Sequence, residues 1–375
     1  LPAPAFLGIV EGANEAKDEH TFAMDQQLPF RVGLSDEDIR EKIMSAQAAR
    51  QVLENEPTTE SVQFSRGFLP ITPEVLNDVD AMILGGSSYV GCEDLDGDRR
   101  CAALIRFGAG FDRIDLDACT AADIMVATVP TALSRPMSTA ALTHILALAT
   151  RLFARSKLVY NGRWSEGYHT ANLGGGLTGK TIGFVGFGNI GRDLYTLVRP
   201  FQMRHLVFDP HLDDSAADGY VIERLDLTAL LEQSDFVVIL CPLTDETRHL
   251  IGEQELSLMK PTAYLINVAR GAIVDQAALA RALAEKRICG AGLDAFDAEP
   301  IAPDDPLLAL DNVVLTPHAL GHTVEMVNQC SEMCVAGILA VVRGEAPDNV
   351  INRAVLDRPK LKAKLEAFRQ RFESV

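Results

Sequence analysis

The 375-residue sequence predicts an α/β protein made of two doubly wound parallel-sheet domains, and three features carry that prediction. From residue 178 to about 317, short β-rich runs alternate with amphipathic helical patterns, as helix-covered parallel strands require. Runs such as Asp235-Phe-Val-Val-Ile-Leu240 and Ala263-Tyr-Leu-Ile-Asn-Val268 are continuously apolar, the pattern of strands buried on both faces. The chain is also too long for one core of ordinary size, so two domains are expected.

Taken in order, the first part of the chain alternates less cleanly. Strand candidates fall at 5–10, 61–66, 81–85, 102–107 and 124–127, which make a second, smaller α/β unit. Ser35-Asp-Glu-Asp38 reads as a capping box that opens a helix running to about Glu54, with acids in the first turn where the dipole favours them. Roughly fifty residues separate the first two strand candidates, about twice the expected gap. Residues 12–60 are therefore read as decorating the site rim or a subunit contact. A long, alanine-rich helical stretch at 137–160 links the two units.

The second unit has strand candidates at 181–186, 205–209, 235–240, 263–268, 290–294 and 312–316, six in all. Between them lie helical segments at 190–199, ending at Pro200, and at 226–233, 253–260 and 275–286. A last helical segment, 322–343, is placed to return to the first unit. The expected division is thus 1–128 with 320–375 as a discontinuous substrate domain, and 129–319 as a cofactor domain.

Thr181-Ile-Gly-Phe-Val-Gly-Phe-Gly-Asn-Ile-Gly191 reads as an apolar strand, a glycine turn and the start of a helix, with Asp209 closing the next strand. That context makes it a dinucleotide site of the Rossmann type. Gly186 permits the tight turn, Gly188 lets backbone N–H groups approach the pyrophosphate, and Gly191 lets the helix pack close to its strand. The phosphates then meet a helix N-terminus, where free donors and the dipole favour anions. Asp209 is suited to accept hydrogen bonds from the ribose hydroxyls and to repel the extra phosphate of NADP, so the expected cofactor is NAD.

Composition narrows the function classes. The formal net charge of −18 argues against nucleic acid, whose phosphates would be repelled. No run of side chains is continuously apolar over the roughly 18 residues that span a bilayer, and the first residues lack a basic segment followed by an apolar one. No membrane partner is therefore expected, and the protein is expected to be soluble and cytoplasmic. Seven cysteines, scattered without metal-ligand spacing, read as small buried hydrophobes, with neither disulfides nor a metal site expected.

Three motifs follow the glycine turn, each at the C-terminal end of an expected strand, where open α/β sheets bind ligands. They are Asn267-Val-Ala-Arg-Gly-Ala-Ile-Val-Asp275, Gly292-Leu-Asp-Ala-Phe-Asp-Ala-Glu-Pro300 and Leu315-Thr-Pro-His-Ala-Leu-Gly321. Together with Gly108-Ala-Gly-Phe-Asp-Arg-Ile-Asp115, their order and spacing resemble the D-isomer-specific 2-hydroxyacid dehydrogenases, the family of phosphoglycerate dehydrogenase and hydroxypyruvate reductase. The resemblance spans about residues 80 to 345. It implies a flavodoxin-like substrate domain beside the Rossmann domain, hydride transfer between NAD and a small D-2-hydroxy acid, and a homodimer joined through the cofactor domain.

The same resemblance implies roles for individual residues. Arg270 is placed at the substrate carboxylate and carbonyl oxygen, where its planar fork can bind two oxygens. His318 is the acid and base, and Glu299 fixes its tautomer from the far ring nitrogen. Asp294 is assigned to the nicotinamide carboxamide, Ala269 to the side of the ring, and Cys241 and Pro242 to the adenosine. Asn189 and Ile190 follow the turn beside the phosphates, and Gly321 closes the cofactor motif. In the smaller domain Ser87, Ser88, Gly108, Ala109 and Gly110 resemble the loops that grip the substrate carboxylate. The remaining histidines, among them His144, His205, His211 and His322, read as packing or surface residues.

Several departures from the family pattern bear on the substrate. Thr139-Ala-Ala141 replaces the usual valine-alanine-glutamate at the start of the linking helix, and Arg113 ends the small-domain loop where asparagine is usual. The loop Gly85-Gly-Ser-Ser-Tyr-Val90 offers no phosphate clamp, although Arg106, Arg113 and Arg135 stand as possible contributors. The expected substrate is accordingly a small polar 2-oxo acid such as glyoxylate or hydroxypyruvate. Phosphoglycerate or phosphite oxidation, and a non-enzymatic NAD(H)-sensing corepressor, are the alternatives left open.

Overall fold

The computed structural model describes residues 29–372, apart from 57, 65–70, 87, 92–94 and 96–98. The first unit contains β1 (Phe30–Leu34), α1 (Glu37–Ser45), α2 (Gln47–Asn55), β2 (Thr59–Gln63), α3 (Pro73–Asp78), β3 (Ala81–Leu84), β4 (Ala103–Arg106), α4 (Leu116–Ala121) and β5 (Met125–Thr128). Its five strands are all parallel in the order β2-β1-β3-β4-β5, the flavodoxin-like winding. Two long segments follow, α5 (Thr131–Ala149) and α6 (Leu152–Tyr160).

The second sheet comprises β6 (Thr181–Val185), α7 (Asn189–Val198), β7 (Arg204–Phe208), α8 (Asp214–Ala217), β8 (Glu223–Arg224), α9 (Leu227–Gln233), β9 (Phe236–Ile239), α10 (Glu253–Leu258), β10 (Tyr264–Asn267), α11 (Gln276–Ala284), β11 (Gly290–Leu293) and β12 (Val313–Leu315). Its order is β12-β11-β10-β9-β6-β7-β8, again all parallel. The winding reverses between β6 and β9, and the crevice beyond the carboxyl ends of those two strands is where such sheets bind ligands. The chain closes with α12 (Val324–Val342) and α13 (Pro359–Phe372).

Each sheet is covered on both faces. One core joins β1, β3 and β4 to α1, α2 and α12, and Phe368 of α13 meets Phe30 edge-on at 5.1 Å between ring centroids. The terminal helices thus pack on the first sheet. Leu76, Leu104 and Val126 form a second core on the other face of that sheet. In the second sheet, α9, α10 and α11 cover one face and α5 and α7 the other. By length and composition α12 is apolar enough to cross a bilayer, contrary to expectation. Its Met326, Cys330, Cys334 and Ile338 are buried in the first core, which accounts for that composition.

The observed elements differ from the expected ones at several points. The strand candidate at 5–10 lies outside the described residues, and β1 was missed because it is five residues long with Arg31 and Gly33 interrupting its apolar positions. With β1 in place, the long gap before the next strand shrinks to the two helices α1 and α2. Those helices are separate: Asp36, not Ser35, is the cap, accepting from Ile39 N at 2.9 Å, and the backbone becomes extended at Ala46. The linking stretch also divides, because Arg151 takes a left-handed conformation (φ +54°) and α6 turns 58° from α5. Finally, the second sheet has seven strands; β8 is two exposed residues at the edge, too short to leave a periodic signal.

Candidate active site

The glycine turn follows β6 and opens α7 with the geometry its residues predict. Gly186 has φ +95°, and a side chain there would meet the Cys241 amide nitrogen at 2.7 Å. Gly188 faces open space, while a Cβ on Gly191 would come within 3.0 Å of the Gly186 carbonyl. One glycine bends the chain, one clears the approach and one seats the helix. Asp209 sits beside the turn: Oδ2 accepts from Phe187 N at 2.8 Å and Oδ1 from His211 N at 2.9 Å. Cys241 lies just past the neighbouring strand, its thiol pushed up to about 11 by burial, with the Asp209 charge adding to the effect. A cradle cleared of side chains at Gly188, next to the N-terminus of a ten-residue helix, fits a dinucleotide pyrophosphate.

The three motifs downstream converge at the same edge. His318 Nδ1 lies 2.8 Å from Glu299 Oε1 and 2.9 Å from Oε2, which leaves Nε2 as the nitrogen available to a substrate. Burial pushes the Glu299 carboxyl up. The bond to His318, the Phe296 amide and the charges of His318 and Arg270 outweigh that effect, and hold it below the usual carboxylate value.

His318 itself has φ +54°, a left-handed conformation that costs a non-glycine residue about 1 kcal/mol. Asp294 offsets that cost. Its carboxylate is only 1% exposed and accepts from Thr316 Oγ1 at 2.7 Å, Ala319 N at 3.1 Å and Leu320 N at 3.2 Å. Charge-assisted bonds of this kind contribute roughly 1.5–3 kcal/mol each, enough to pin the loop that carries the imidazole. Sequence reasoning placed Asp294 at the cofactor; this support of the His318 loop was not foreseen.

Arg270 follows β10 and reaches across to the first unit. Its Nε donates to Asp112 Oδ1 at 2.9 Å and its Nη1 to its neighbour's Ala269 carbonyl at 2.9 Å. The Asp112 carboxyl is pulled both ways: burial raises it, but the Arg270 charge and hydrogen bond prevail and hold it below its usual value. A side chain on Gly110 would overlap Arg270 Nη2, so the loop 108–112 can lie against the guanidinium only as glycine. Asn267 fixes the base of the same loop, accepting from Ala269 N at 3.0 Å and donating to the Arg270 carbonyl at 2.8 Å. Asp112 and Asn267 both stand inside motifs read from the sequence. Neither role was legible: the Asp112 contact joins residues 158 apart, and the Asn267 bonds brace a loop whose shape leaves no periodicity.

The small-domain loops meet at this edge as well. Ser88 is buried with its amide on the Gly85 carbonyl, and Gly85 N donates to Ser35 Oγ at 2.8 Å; Ser87 lies outside the described residues. Of the three arginines held in reserve for a phosphate, Arg135 pairs with Asp193 of α7 at 2.8 Å and Arg113 is exposed. Of the three, Arg106 is the one whose guanidinium lies beside both Gly86 and Gly108. Gly321 packs on Met137 of α5, and His144 lies wholly buried beneath Thr316.

Comparisons with known proteins point to one family. Residues 142–319 match the family described as D-isomer specific 2-hydroxyacid dehydrogenase, NAD binding domain. Over 284 residues the chain is 38% identical to the glyoxylate reductase of Korarchaeum cryptofilum, covering 76% of this chain and 86% of that protein. It is 37% identical over 310 residues to the glyoxylate reductase of Thermofilum pendens, covering 81% and 91%. Among solved structures, D-lactate dehydrogenase from Aquifex aeolicus, complexed with NAD and lactic acid, superposes with a TM-score of 0.74 at 26% identity, covering 86% of this chain and 99% of that one. The NADPH-dependent glyoxylate/hydroxypyruvate reductase from Sinorhizobium meliloti, in complex with NADP and malonate, gives 0.73 at 27% identity, covering 86% and 97%.

Proposed function

The chain belongs to the D-isomer specific 2-hydroxyacid dehydrogenase family, NAD-binding oxidoreductases acting on a CH–OH donor, and on that premise we propose that it reduces a small 2-oxo acid of the glyoxylate or hydroxypyruvate type to its D-2-hydroxy acid. The observation that carries this reading is the convergence of His318, Glu299 and Arg270 at the carboxyl edge beside the glycine turn.

When bound, NADH supplies the hydride to the carbonyl carbon. Arg270 polarises the carbonyl through the part of its fork not held by Asp112, making that carbon more electrophilic. His318 delivers a proton from Nε2 to the carbonyl oxygen as charge develops there, and takes it back in the oxidation direction. Glu299 stabilises the protonated ring and fixes which nitrogen faces the substrate. At the turn shaped by Gly186, Gly188 and Gly191 the Asn189 amide would hold the pyrophosphate, and Asp209 would hold the adenosine ribose, beside Cys241 and Pro242. Ile190, Ala269 and Gly321 line the cofactor cleft.

A homodimer is part of the same reading. Leu152, Phe153, Val159, Tyr160, Trp164 and Tyr168 are each more than half exposed along α6 and the turn after it, an apolar surface of the kind that partners cover. Light scattering should return twice the chain mass.

The decisive experiment is a panel of 2-oxo acids, with and without a phosphate group, followed by NADH absorbance. Glyoxylate or hydroxypyruvate should be turned over in preference to phosphorylated acids. NADH binding without oxidation by any member of the panel would favour the corepressor-like alternative.

A further inference from the structure

Arg106 ends β4 at the carboxyl edge of the first sheet, and its guanidinium lies between the two loops expected to hold substrate. Nη2 is 3.5 Å from where a Cβ would stand on Gly86, and Nη1 is 3.7 Å from the same point on Gly108. Glycine on either side keeps this space clear. Nη1 donates to the Leu84 carbonyl at 3.3 Å and the Phe107 carbonyl at 3.0 Å, two neutral acceptors that aim the group without neutralising it. No carboxylate of the described residues bonds to Arg106. Arg270, by contrast, has Asp112.

Burial, and then the charge of Arg270, make Arg106 easier to deprotonate than an ordinary arginine, bringing it down to about 10; the Asp112 charge opposes that effect. At neutral pH it is still a cation. The two guanidiniums therefore repel one another, and Asp112, whose charge reaches Arg106, is already paired with Arg270. A partly buried cation without a counter-ion is costly, and a ligand carboxylate between the loops would relieve both the desolvation and the repulsion.

We infer that Arg106 is the counter-ion of the substrate's carboxylate, which leaves Arg270, tethered by Asp112, to act on the carbonyl oxygen. The inference rests on the 2-oxo acid reading and refines it by dividing the two oxygen-binding tasks between two arginines. Nη2 and Nε of Arg106 make no bond to a described residue and are the atoms that would receive the carboxylate.

The test compares glyoxylate with glycolaldehyde, which keeps the aldehyde but replaces the carboxylate with a neutral hydroxymethyl group. Arg106→Gln should lower kcat/KM for glyoxylate by about 30-fold or more, since it strips one partner from a partly buried charge pair. The value for glycolaldehyde should stay within about threefold, and Arg106→Lys should recover part of the glyoxylate loss. NADH affinity, read by fluorescence titration, should be unchanged and reports that the variants are folded. An equal loss on both aldehydes would make Arg106 a structural residue, and no loss on glyoxylate would remove it from the site; either result overturns the inference.

Oxamate, a carboxylate that cannot be reduced, separates this claim from the proposed reaction. If no 2-oxo acid is turned over but oxamate binds the NADH complex and loses affinity in Arg106→Gln, the inference stands while the catalytic reading fails. If oxamate binding is indifferent to Arg106 while glyoxylate is reduced, the inference fails and the catalytic reading stands.

Discussion

Nδ1 of His318 faces both carboxylate oxygens of Glu299, at 2.8 and 2.9 Å, so the acid grips one edge of the imidazole and turns the other toward the cleft. Glu299 is held below the usual carboxylate range, so its charge is present at neutral pH and is lost as pH falls through that lowered value. Replacing the charge while keeping the shape, as in Glu299→Gln, removes the stabilisation of the protonated ring. Reduction should slow by about 10- to 100-fold, and its alkaline limb should move to lower pH. His318→Ala should cost about 10²–10⁴-fold in kcat with NADH affinity unchanged. Stopped-flow turnover and fluorescence titration check both, and an unaltered pH profile in Glu299→Gln would remove that residue from the mechanism.

The Arg270 tether makes a prediction of a different kind. Asp112→Asn leaves a polar side chain in reach of Nε but removes a negative charge from a cleft that binds an anion. Substrate KM should fall or hold while kcat drops several-fold, because the fork is less firmly aimed though more positively charged. Gly110→Ala forces the overlap with Nη2 and should lower kcat much further, as a displacement of about 1 Å at a reacting centre costs about 10²-fold. Parallel losses in kcat and rises in KM for Asp112→Asn would show that the pair only holds the lobes together.

Cofactor choice is placed on Asp209. Its two oxygens already accept the Phe187 and His211 amides, so the carboxylate is fixed at the rim of the glycine turn. The unmodified protein should use NADH far better than NADPH, and Asp209→Ala should narrow the difference by removing the charge that repels a 2′-phosphate. NADH affinity should also weaken in the variant, because the turn loses an anchor. Equal kcat/KM for the two cofactors in the unmodified protein would refute the assignment.

What the sequence made legible follows from how far each signal reaches. Six of the seven strands of the second sheet were readable within a residue or two because their apolar runs are bounded by turn residues, and the proposed catalytic trio could be named because each member sits inside a motif at a strand end. β1 was not, since Arg31 and Gly33 break its pattern and only pairing with β2 and β3 reveals it as an interior strand. Asp112 was quoted in a loop without a role, because its partner is 158 residues away. His144 read as one more packing residue of an alanine-rich helix; nothing in that helix announces a hydrogen bond to Thr316 after the last strand.

That buried histidine carries the last prediction. Thr316 Oγ1 gives its only proton to Asp294 at 2.7 Å, so at 3.3 Å His144 Nε2 is the donor, and Nδ1 is left as a buried lone pair with no partner among the described residues. Taking up a proton there would create an unsolvated charge against the backbone of Gly292. Burial accordingly lowers His144 from 6.5 to about 4, with only the Asp294 charge opposing the shift. The unfolded chain binds this proton between those values and the folded chain does not, so the stability contribution is complete above about pH 6.5 and is lost as pH falls toward 4. His205, lowered by burial alone, adds a share of the same sign. Between pH 7.5 and 5.5 the loss from His144 amounts to about 1 kcal/mol. His144→Leu cannot titrate and should show a correspondingly smaller fall in urea-unfolding stability over that interval. A fall as steep as that of the unmodified protein would mean that His144 is already charged when folded, or reaches water.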